Sequence, residues 1–193
     1  MSKKYSTSKL FVYALLAGIP VSYAQIVINK PIEPKSPAVQ QEQNTGFSME
    51  FAYESYRNKD YQNAYDEFEH FVLQNNPKAL MANAYLLFSG NLPRDFARAN
   101  QYLAQVASLK YARAIYLQGL LEKYQKGLSQ FNAKAERLVN DAAVMGDYVA
   151  ANALANFHFQ KGNYALAQRW NEKAISLGSS AARQNQRVIS NRQ

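Results

Sequence analysis

AANALANFHFQKGNYALAQRWNEKAISLG, residues 150–178, reads as two short helices joined by a Gly-Asn turn. In its first half Ala151, Leu154, Ala155 and His158 recur at helical spacing, and small side chains dominate. Small residues let a neighbouring helix approach closely. Gly162-Asn163 interrupts the helix, because both residues tolerate φ > 0. In the second half Tyr164, Ala167, Trp170, Ala174 and Leu177 form one apolar stripe, with Gln168, Arg169, Glu172 and Lys173 largely off it. Gly178 is the expected stop. A hairpin of this size cannot bury its stripe alone, so it needs copies beside it.

Copies are present upstream. Ala64, Ala99, Ala135 and Ala167 each fall a few residues into a second helix, at intervals of 35, 36 and 32 residues. Solenoids of helix-turn-helix units repeat at about 34 residues. An aromatic stands three places before the alanine in copies one, two and four (Tyr61, Phe96, Tyr164), and Phe131 stands near that place in copy three. This pattern predicts an all-α fold, a right-handed α-solenoid of about four antiparallel helix pairs.

The segment FAYESYRNKDYQNAYDEFEHFVLQNNP, residues 51–77, resembles a tetratricopeptide repeat, with Tyr61, Ala64, Phe68 and Pro77 near the family's pattern places. Later copies are similar to Sel1-like repeats, through Gly119, Gly127, Ala142-Ala143 and Gly146-Asp147 in copy three and Trp170, Lys173-Ala174 and Gly178 in copy four. The resemblance covers roughly residues 47–183. It implies binding along an inner groove lined by the first helix of each pair. On that basis Tyr53, Tyr56, Tyr85, Arg113, Tyr116, Asn152 and Asn156 are the candidate partner-binding residues. Packing on the next repeat is the competing reading for the tyrosines. The family's carboxylate clamp is not visible, since only Arg113 stands out among basic residues on first helices.

Residues 1–24 carry an address. Lys3, Lys4 and Lys9 precede the apolar run Leu10–Ile19, Pro20 breaks it, and Ser22-Tyr23-Ala24 supplies small residues at both cleavage places. That is a secretory signal pattern, with cleavage expected after Ala24. The run is too short to span a bilayer, which takes about 20 apolar residues. Residues 25–46 form a Pro/Gln-rich arm, in which Pro31, Pro34 and Pro37 recur every third residue and suit polyproline II. The arm starts with the apolar Ile26-Val27-Ile28. Residues 47–193 form the repeat domain, and Ser179–Gln193 is its expected capping helix, apolar through Ala181, Ala182, Val188 and Ile189.

The net charge of +8 becomes +5 when the signal's three lysines leave. With no cysteine, thiol catalysis, Cys-ligated zinc and iron–sulfur sites are excluded. Glu67-x-x-His70 has the spacing of a di-iron ligand pair, but Ala155 precedes His158 where a second copy would need its Glu. No nucleophile elbow or phosphate-binding glycine loop occurs. The three arginines of the tail lack the density of a nucleic-acid patch.

The expectation is therefore a non-enzymatic protein without cofactor or metal, without nucleic acid and without stable membrane insertion after cleavage. The signal combined with the Sel1-like resemblance implies a periplasmic protein-interaction adaptor in the bacterial cell envelope, one that assists assembly or positioning of a complex such as a secretion system. The alternative is a binding protein for peptidoglycan or another anionic envelope polymer. Release outside the cell is the second expected location.

Overall fold

The computed structural model describes residues 47–190, and the signal and arm assigned above lie outside them. Among the described residues every regular element is helical. The helices are α1 (Met49–Arg57), α2 (Tyr61–Val72), α3 (Pro77–Ser89), α4 (Phe96–Ala107), α5 (Ala112–Gln125), α6 (Ala133–Val144), α7 (Tyr148–Gln160), α8 (Tyr164–Ser176) and α9 (Ser180–Ser190). None is long and apolar enough to cross a membrane.

Local chemistry sets the helix ends. Ser48, Asp60, Asn76, Asp95, Asn132 and Asp147 each accept backbone N–H bonds at a helix start. Pro77 is the first residue of α3, where its missing N–H costs nothing, so it opens the second pair instead of closing the first. After α8 the chain turns left-handed at Gly178, whose N–H donates to Ile175 while Ser179 N–H donates to Ala174.

Each helix packs on the next, and α3 also touches α5, α5 touches α7, and α7 touches α9. Connections of three to seven residues join them. Consecutive packed helices with such short links run alternately up and down. The four repeat alanines, Ala64, Ala99, Ala135 and Ala167, are fully buried. Gly119 on α5 allows a close approach, since an added Cβ would stand 2.8 Å from Val139 Cγ2 on α6.

The two helix sets differ. α2, α4, α6 and α8 bury one stripe, as the spacing predicts. α3 is buried at every position from Ala79 to Phe88, and α7 from Val149 to Ala155 and again at Phe157 and His158. The stripe expected in α7 is therefore only part of what it buries, because helices pack on it from several sides. In α9 the cap is held by Ala182 and Ile189, seven residues apart, whereas Val188 points outward, contrary to expectation. A shift of one residue turns a side chain by about 100°, which carries Val188 off the face that Ile189 uses.

Candidate functional site

The seven residues that resemblance selected do not line one open surface. Tyr116, Arg113 and Asn152 are buried. Arg113 Nε donates to Asp147 Oδ2, and its guanidinium lies 5.4 Å from the Tyr148 ring centroid. Asp147 also accepts from Ala150 N–H at the start of α7, so one carboxylate both caps that helix and ties α5 to it. Asn156 is half-buried and accepts a long 3.5 Å bond from Asn185 Nδ2 of α9. Tyr53 is half-buried with its ring edge-on to Phe68, 5.1 Å between centroids, and burial, then Glu50, push its hydroxyl up to about 12.

Tyr56 and Tyr85 are both buried, and the Tyr56 phenol acts electrostatically on Tyr85. The phenols of the half-buried Tyr61 and Tyr124 act electrostatically on both. Tyr56 lies edge-on to Tyr61 at 5.5 Å, Tyr85 edge-on to Phe88 at 5.4 Å, and Phe88 is 5.5 Å from Tyr124. Burial first, then the neighbouring phenols, hold the Tyr56 and Tyr85 hydroxyls well above the usual tyrosine range. The Arg94 guanidinium acts the other way on Tyr124. Sequence reasoning missed Tyr124, since nothing in the α5 pattern separates its end from its middle.

A second polar cluster joins the first two pairs. Glu69 accepts from Asn83 Nδ2, Arg98 Nη2 and the Tyr102 hydroxyl, each at 2.8 Å. Arg98 also covers the rings of Tyr65 and Tyr102. A third holds α5 to α6: Glu122 accepts from Lys126 at 2.6 Å, Lys134 at 2.9 Å and Asn132 at 3.2 Å. Lys126, then Lys134 and Asn132, draw the Glu122 carboxyl down to about 2. His158 lies 4.0 Å from Glu136, and burial depresses its pKa despite that carboxylate. His70 stacks on Phe47 at 4.1 Å. Among the described residues no three His, Asp or Glu side chains stand together as a metal site.

The surface is more distinctive than the interior. Because the helices alternate, the turns after α2, α4, α6 and α8 fall at one end of the helices. The first three carry Leu73, Leu109, and Val144 with Met145, which are 81%, 61%, 66% and 47% exposed, and the fourth carries no exposed apolar side chain. Leu73, Leu109 and Met145 are 36 residues apart, the period of the repeat. The turns after α1, α3, α5 and α7 fall at the opposite end. There the exposed Lys59, Arg94, Lys126 and Lys161 recur at 35, 32 and 35 residues. The sequence contained both rows, but only the repeat frame aligns them. No family model, curated protein or solved structure matches the chain.

Proposed function

We propose that this chain is a non-enzymatic adaptor of the bacterial envelope, a right-handed solenoid of about four tetratricopeptide- or Sel1-like pairs that binds protein partners in the periplasm. Assembly or positioning of an envelope complex, such as a secretion system, is the role that follows. One observation carries the reading: the row of exposed apolar tips at Leu73, Leu109, Val144 and Met145. Single exposed leucines are ordinary on any surface, but a row in register with the repeat is not. Among the described residues these side chains are covered only in part, so folding gains little from their being apolar.

The test is retention of envelope proteins on the tagged full chain, compared with a Leu73→Asp/Leu109→Asp variant. The adaptor reading expects an envelope protein that stays bound at about 0.5 M salt, where exposed charges are screened. The same protein is absent from the variant. Equal retention by both chains overturns the reading.

The basic row favours the alternative, an anionic envelope polymer laid along Lys59, Arg94, Lys126 and Lys161. That reading expects glycan or phosphate-rich material that leaves the column as salt rises and is indifferent to the leucine changes.

A further inference from the structure

We propose that the outward face of α1 binds the outward face of α9 in a second copy of this chain, so that the molecule adds to itself head to tail. α1 packs on α2, and α9 packs on α8 with a smaller contact to α7, so each is the outermost helix on its side. The two are finished differently. α9 turns Ala182 and Ile189 inward and leaves Arg183, Gln184 and Arg187 exposed, the polar outer face that keeps a terminal unit soluble. α1 turns Ala52, Ser55 and Tyr56 inward, yet Phe51 beside the exposed Glu54 is 47% exposed. Phe47, just before the helix, is 43% exposed although it stacks on His70 of α2.

Charge identifies the occupant. Residues 47–76, which hold α1 and α2, carry six Asp or Glu against two Lys or Arg. Residues 161–190, which hold α8 and α9, carry five Lys or Arg against one Glu. One chain therefore carries both halves of a complementary contact on its two outermost pairs. Helix stability does not account for this. Glu54 stands in the last turn of α1 and Arg183 in the first turn of α9, and the helix dipole disfavours each charge there. Both are exposed, and neither side chain forms a salt bridge among the described residues, whereas Glu50 bridges Arg57 at 2.9 Å.

The contact divides its tasks. Phe47 and Phe51 supply apolar surface, and on α9 Val188, 38% exposed beside Arg187, supplies its counterpart. Glu54 against Arg183 and Arg187 sets orientation and register. Pairing α1 with α1 would set acidic faces together, and pairing α9 with α9 would set arginines together, so like charge disfavours both. An anionic polymer suits the α9 face alone and gives Phe47 and Phe51 nothing to meet. Because the two faces differ, each added copy leaves one face of each kind free, and growth continues beyond two copies.

Sedimentation velocity of the full chain tests this. At about 50 mM salt the mean mass is expected to rise with protein concentration past that of two copies, and at about 0.5 M salt to fall, since exposed charges are then screened. Glu54→Arg and Arg183→Glu are each expected to weaken association about tenfold. Each installs the charge that the helix dipole favours at its place, so neither is expected to lower the urea midpoint. Mixed in equal amounts, the two variants are expected to associate again. The Arg183→Glu chain still offers the parent α1 face, and the Glu54→Arg chain the parent α9 face. A mass that stays at one copy overturns the proposal, and so does one that stops at two. Association that ignores either reversal, or that mixing fails to restore, overturns it as well. Neither substitution touches Leu73, Leu109 or Met145, so failure here leaves the adaptor reading standing.

Discussion

At one end of the helices the turns carry Leu73, Leu109, Val144 and Met145; at the other they carry Lys59, Arg94, Lys126 and Lys161. Both ends solve the same backbone problem. Asn75, Lys110, Gly146 and Gly178 turn left-handed at the first, and Lys59, Gly90, Gly127 and Gly162 at the second. The backbone requirement does not choose leucine at one end and lysine at the other. Lys110 stands beside Leu109 at the first end, so the contrast lies in the exposed apolar tips, which the adaptor reading assigns to a partner. Folding constrains the turn, and the outward tip stays open to selection for binding.

The largest expected effect breaks the frame that holds the apolar tips in line. Arg113→Ala leaves Asp147 buried without its cation, next to the turn of Val144 and Met145. Removing one partner of a buried pair costs about 3–5 kcal/mol, measured as a lower urea midpoint at unchanged slope. Gly119→Ala comes next. The added methyl meets Val139 Cγ2 and the Ala135 carbonyl, and overpacking of this kind costs about 1–3 kcal/mol by the same assay.

The basic end has its own acid test. Glu122 is drawn down to about 2 in the fold, so its contribution is complete above the ordinary carboxylate range and is lost as pH falls toward 2. Acid unfolding monitored by circular dichroism is expected to show this loss. Glu122→Gln removes that part of the pH dependence and releases Lys126, which should strengthen retention of an anionic polymer. The smallest effect on stability sharpens the comparison most. Leu109→Asp and Lys161→Gln should each leave the urea midpoint within about 0.5 kcal/mol of the parent. Only the first should weaken a salt-resistant protein contact, and only the second a salt-sensitive polymer contact.

Much of the all-helical plan was legible. Ala64, Ala99, Ala135 and Ala167 mark it because a helix crossing tolerates little beyond a methyl, and the structure buries all four. Gly162 and Gly178 marked the turns through their positive φ. The candidate contacts were less legible. Tyr56, Tyr85, Tyr116, Arg113 and Asn152 were read as groove residues by position in the repeat, whereas the structure buries them. One signal was available: Lys78–Phe88 and Tyr148–Phe159 have almost no charged face, and a helix apolar on all sides is covered on all sides. The Arg113–Asp147 pair was hidden for another reason. Its members are 34 residues apart, and nothing in the chain between them couples the two.

The cross-links between pairs are unevenly distributed. Glu69 with Arg98 and Tyr102 fastens the first pair to the second, and Arg113 with Asp147 fastens the third to the fourth. Between the second and third, Phe88 lies against Tyr124, an aromatic contact. Apolar surfaces slide where charge-assisted hydrogen bonds do not, so this seam is expected to open before the two that carry ion pairs. Amide exchange should divide the chain near residues 108–111 into two blocks, each protected as a unit, with the seam opening first. A joint that yields there would let the two halves tilt while each keeps its own packing.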